Sequence, residues 1–137
     1  MNSGRASSSF YLVVRDYSAL DMRRKRVTKA ELAHKFCEYD RKYFHDFFAD
    51  KKVEIVIEDF CQDCMKDWLA YACAEDKTIG FNKKDLCRPK TKVYNALLHE
   101  MIHLLVCWGT PNGRRVWGDK CKVFKNMCRA YKVRRKY

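Results

Sequence analysis

The segment from Val93 to Val106 is apolar along nearly its whole length, yet it contains His99, Glu100 and His103. A run this apolar belongs in an interior, and ionisable groups there need partners that satisfy them. On a helix, His99 and His103 stand one turn apart on one face, so both imidazoles can reach a single ion. Glu100 projects beside them, where a carboxylate can deprotonate a metal-bound water. The spacing is H-E-x-x-H, whose best-known use is zinc hydrolysis. The alternative is a structural histidine pair within the core.

The rest of the chain bounds what such a helix serves. The 137 residues suffice for one domain with its own core, and 47 % of them are hydrophobic. No apolar run reaches the roughly 18 residues that span a bilayer. Residues 1–14 begin with a polar, small-residue stretch that lacks a signal peptide's apolar core and read as a flexible lead-in. The eight cysteines then suggest reduced thiols in an intracellular setting rather than a disulfide scaffold. Cys107 in the apolar run and Cys37 on a helical face read as small hydrophobes. Cys61 and Cys64 form a C-x-x-C pair, either a plain pair of thiols or half of a second zinc site.

The formal charge is +12, concentrated at Arg23–Arg26, Lys83–Lys84, Arg88–Lys92, Arg114–Arg115 and Lys132–Lys136. Such a field favours polyanions, of which nucleic acid is the commonest inside cells, or it serves only to solvate the surface. Lys90, Lys92, Arg114, Arg115, Arg134 and Arg135 are the candidate DNA contacts. Trp108, Trp117, Tyr131 and Tyr137 suit either base stacking or core packing.

Local signals give the order of elements. Thr28 and Glu31 form a capping box, with Val27 and Leu32 placed as a hydrophobic staple. Leu32, Phe36, Cys37, Tyr43, Phe44 and Phe47 then supply the apolar face of a first helix, which also carries His34 and His45 as surface or packing residues. Residues 52–58 read as a strand, as do 68–74 and 78–82, the last two joined by a hairpin through Glu75–Lys77. The motif helix follows Pro89, starting near Thr91 and ending by Gly109, ahead of a Gly- and Pro-rich breaker. Residues 117–131 resume helical spacing. Helix, sheet, motif helix, loop and last helix make an α+β domain.

With these residues in place, the chain resembles the SprT-like domain of the Spartan family of DNA-dependent metalloproteases across residues 15–131. Asn95–His103 is similar to that family's L-L-H-E-M-I-H helix. Ile79–Asn82, Leu86 and Arg88–Pro89 resemble the strand and connector leading into it, and Phe124–Arg129 resembles its closing helix. The resemblance implies a zincin-like fold with a small, mainly antiparallel sheet; residues 132–137 read from their own composition as a basic tail. It implies zinc as cofactor, Glu100 as catalytic base, and His99 and His103 as metal ligands. It also implies action on proteins bound or crosslinked to single-stranded or distorted DNA by a monomeric repair enzyme; the basic clusters suit a nuclear protein, or one serving DNA in a virus or bacterium. An extended substrate is expected to add along residues 78–82 as an exposed edge strand.

One departure matters. The family draws its third ligand from a His further along, and no His follows His103. Asp119 occupies that position, and two His plus one carboxylate is an established catalytic zinc set. Cys121 is the second candidate. Alternatively, Asp119 caps the last helix, and the chain is then a SprT-like DNA-binding module with weak or no catalysis.

Overall fold

The computed structural model describes residues 25–109 and 122–133. Three helices and a three-stranded sheet form its regular structure: α1 (Lys29–Tyr43), β1 (Glu54–Glu58), β2 (Ala70–Cys73), β3 (Thr78–Asn82), α2 (Lys90–Gly109) and α3 (Lys122–Ala130). The architecture is α+β. No helix among the described residues is long and apolar enough to cross a membrane.

Helix α1 begins where its local chemistry dictates. Thr28 Oγ1 accepts from the Glu31 amide at 3.1 Å, and Glu31 Oε1 accepts from the Thr28 amide at 2.9 Å. Val27 and Leu32 are both buried beneath this box, as a staple requires. At the other end, the backbone turns through positive φ at His45 and Asp46. Asp40 stabilises that turn from within: its buried carboxylate accepts from the Phe48 amide at 3.1 and 3.2 Å. Burial raises the Asp40 pKa, and the Phe48 amide opposes the rise. Cys37, expected on the apolar face, is exposed. It lies about 100° around the helix from Phe36, which packs against Phe48. His34 and His45 are exposed.

The sheet order is β1-β3-β2, with β1 parallel and β2 antiparallel to β3. The expected mainly antiparallel sheet is therefore a mixed one, because β1 pairs across the hairpin's far strand and not with its nearest neighbour in sequence. The same order overturns the edge-strand expectation for 78–82. β3 is the central strand, and its backbone groups are already engaged on both sides. β1 starts only at Glu54, after Lys52 adopts a left-handed φ. β2 starts only at Ala70, because the Lys66 and Trp68 carbonyls accept from the Asn82 side-chain amide at 3.1 and 3.0 Å.

Period-two alternation sends Ile55, Ile79, Phe81 and Ala70 into the core. On the opposite face Tyr71 lies across from Gly80. A side chain at Gly80 would collide with the Tyr71 ring, so glycine lets that ring cross the central strand. The Tyr71 hydroxyl then donates to Glu58 on β1, and the ring meets Phe60 at 5.3 Å between centroids. Burial, followed by the Glu58 hydrogen bond, raises the Tyr71 pKa.

Helix α2 opens on Pro89, whose missing N–H costs nothing at a helix start and whose carbonyl accepts from Lys92 and Val93. Every residue from Ala96 to Leu104 is buried. The helix packs against β2, β3, α1 and α3, so it is enclosed around its circumference rather than along one stripe. Phe124 and Cys128 are the buried residues of α3.

Candidate metal centre

His99, Glu100 and His103 fall in the most enclosed part of α2, with 2 %, 5 % and 6 % of their surface exposed. The helix brings the two imidazoles together as its period requires: their ring centroids are 4.9 Å apart with planes inclined at 72°. Two imidazoles on one tetrahedral zinc, with Zn–N bonds of about 2.0–2.1 Å, have ring centres about 5 Å apart. The spacing and the nitrogen donor chemistry therefore suit such an ion. Glu100 adds a buried carboxylate one residue from the first imidazole.

Phe124 of α3 closes one side of the pair. Its ring stacks on His103 at 3.9 Å with planes within 6°, and meets His99 edge-on at 4.9 Å and 74°. Helical spacing marks Phe124 as a core residue of the last helix; nothing in the spacing indicates that its neighbours are the two motif imidazoles.

Among the described residues, no cluster of three or more His, Cys, Asp or Glu side chains is placed to hold a metal. Asp119 and Cys121, the two candidates for third ligand, lie outside the described residues, three and one positions before α3 begins. Cys61 and Cys64 are exposed thiols in the loop between β1 and β2.

A second feature lies at the start of α2, where chain segments far apart in sequence converge. Arg26 Nη1 donates to the Lys83 carbonyl and the Val27 amide to the Leu86 carbonyl, both at 2.9 Å. Lys25–Arg26 thus lies beside Lys83–Lys84, just ahead of Arg88–Lys92. Part of this charge is balanced locally: Arg88 pairs with buried Asp85 at 2.7 Å, Lys90 with Glu31 at 2.8 Å, and Lys84 with Asp67 at 4.0 Å. The Lys90 ammonium, with the Thr28 amide, holds the Glu31 carboxyl down to about 2, and Glu31 in turn raises the Lys90 pKa.

Of the candidate DNA contacts, Lys90 is therefore engaged with Glu31, while Lys92 is exposed and pairs with no described carboxylate. Arg114, Arg115, Arg134 and Arg135 lie outside the described residues. Trp108 and Tyr131 pack internally, Trp108 on Phe48 and Tyr131 on Tyr43 and Phe44; Trp117 and Tyr137 lie outside the described residues.

Comparison of the chain with protein-family models, with curated proteins and with solved structures returned no match.

Proposed function

We propose that the chain is a zinc-dependent endopeptidase of SprT-like type, acting on proteins bound or crosslinked to DNA. One observation carries the reading: two imidazoles 4.9 Å apart and a carboxylate share one enclosed stretch of a buried helix. His99 and His103 would hold the ion through ring nitrogens, and Asp119 would complete the protein ligands, with Cys121 as the second candidate. Bound zinc supplies a Lewis acid that polarises the scissile carbonyl and acidifies the attacking water. Glu100 takes a proton from that water as it adds to the carbonyl carbon. It returns the proton to the leaving amine as the C–N bond breaks.

The basic residues around the start of α2 support nucleic acid as the setting. From Lys90 to His99 and His103 the helix rises about 14 and about 20 Å. A DNA backbone held at Arg26, Lys83 and Lys92 would thus place an attached protein within reach of the imidazole pair, so proximity would select the substrate. This reading places a monomeric enzyme with DNA, in the nucleus or with the DNA of a virus or bacterium, in repair of DNA–protein crosslinks.

Glu100→Gln provides the test. The variant should keep bound zinc and lose cleavage of a DNA-binding protein in the presence of DNA by about 10²–10⁴-fold. Undiminished cleavage would remove Glu100 from this role. Asp119→Ala should lower zinc content sharply; unchanged stoichiometry moves the third ligand elsewhere. The competing reading, a DNA-binding module without catalysis, draws on the lack of any His after His103 in the sequence. It requires purified protein that binds DNA and holds no zinc.

A further inference from the structure

We propose that Phe124 is a positioning residue for metal capture, holding both motif imidazoles in the orientation in which their nitrogens converge on one ion. This inference rests on the zinc reading above.

Two imidazoles on one helix are near each other by backbone geometry alone, but nearness does not orient them. The last torsion of a histidine side chain is broad and roughly two-fold, so contacts that hold a ring's orientation bear directly on metal capture. Phe124 restricts both at once. Its face covers the face of His103, and its contact with His99 is edge-on. One ring thereby contacts both imidazoles, whose planes stand 72° apart.

The chemistry is compatible with coordination. A ring nitrogen's lone pair lies in the plane of its imidazole, so stacking on the face of His103 leaves its nitrogens accessible. Phe124 is fully buried, so neither side chain displacement nor solvent competes readily with these contacts. Phe124 also lies in the first turn of α3, which begins three residues after Asp119. An aliphatic residue could fill the same space in the core. It would lack the flat face that stacks on His103.

Neighbours that orient metal ligands typically contribute about 10–100-fold in affinity. Phe124→Leu, and Phe124→Met as a closer match in length, should therefore weaken zinc binding at least tenfold by chelator competition. They should also alter the visible absorption of the Co²⁺-loaded protein, which reports ligand geometry without reference to activity. Val133→Ala is the control. It removes a buried residue just beyond α3 and should leave both readouts near wild type.

Wild-type affinity and an unchanged Co²⁺ spectrum in a folded Phe124 variant would overturn the proposal and leave the zinc reading intact. Equal weakening by Val133→Ala would also overturn it, showing that any loosening near α3 suffices. A wild-type protein that takes up neither Zn²⁺ nor Co²⁺ would overturn the zinc reading, and this inference with it.

Discussion

Gly80→Ala should be unusually costly for a glycine-to-alanine change, and for a reason that can be isolated. Alanine is ordinarily better than glycine inside a strand by about 0.5–1 kcal/mol. At Gly80 the added methyl would overlap the Tyr71 ring, which must leave the central strand. Overpacking of this kind costs about 1–3 kcal/mol. Displacement also forfeits the Phe60 ring contact and the hydrogen bond to exposed Glu58. Contacts of these kinds are worth about 0.5–1.5 kcal/mol each. A net loss of about 2–3 kcal/mol follows. In a Tyr71→Ala background the obstruction is gone, and Gly80→Ala should become neutral or stabilising. The coupling between the two sites is then about 2–4 kcal/mol, readable by urea unfolding of the four proteins in a double-mutant cycle. If Gly80→Ala costs the same with and without Tyr71, the crossing ring is not the cause.

Two further outcomes follow from the charged groups around α2. Glu31 has its pKa lowered to about 2, so its contribution to stability is fully present above its ordinary value of 4.5 and is lost as pH falls from there toward 2. The denaturation midpoints of wild type and Glu31→Gln should therefore differ by a constant amount from pH 7 to about pH 5 and converge below it; a gap that widens in acid would reverse the assignment. At the basic end, Lys83→Ala and Lys92→Ala should each weaken DNA binding similarly across sequences and reduce the salt-dependence slope by about one. Slopes equal to wild type would place the DNA elsewhere.

What was legible in the sequence was local. The capping box at Thr28 and Glu31, the Val27–Leu32 staple, the hairpin and the motif helix depend on residues within a few positions of one another, and each formed where its pattern indicated. The imidazole pair belongs to the same class, since one helical turn brings it together. Pairing across distance was not legible. The parallel alignment of β1 with β3 places Thr78–Asn82 at the centre of the sheet, and no alternation within that strand distinguishes centre from edge. Cys37 illustrates a finer limit, because one step around α1 separates a packed Phe36 from solvent. Phe124 is the instructive case at the site. Its helical spacing marks it as buried, but burial does not name its neighbours. Arg26 beside Lys83 likewise needs the fold, since 57 residues separate them.

Helix α2 carries Lys90 and Lys92 at one end and His99 and His103 further along, within one uninterrupted covalent segment. Their relative azimuth is therefore set by residue count, independent of how the sheet or the other helices are arranged. Inserting one uncharged residue between Lys92 and His99 would advance the imidazoles by about 1.5 Å and rotate them by about 100° relative to the basic end, while leaving charge and motif intact. Inserting four residues, close to a whole turn, would shift them by about 6 Å yet return them to within about 40° of their original azimuth. The phase of the helix, more than the distance along it, is what couples the basic end to the donor pair.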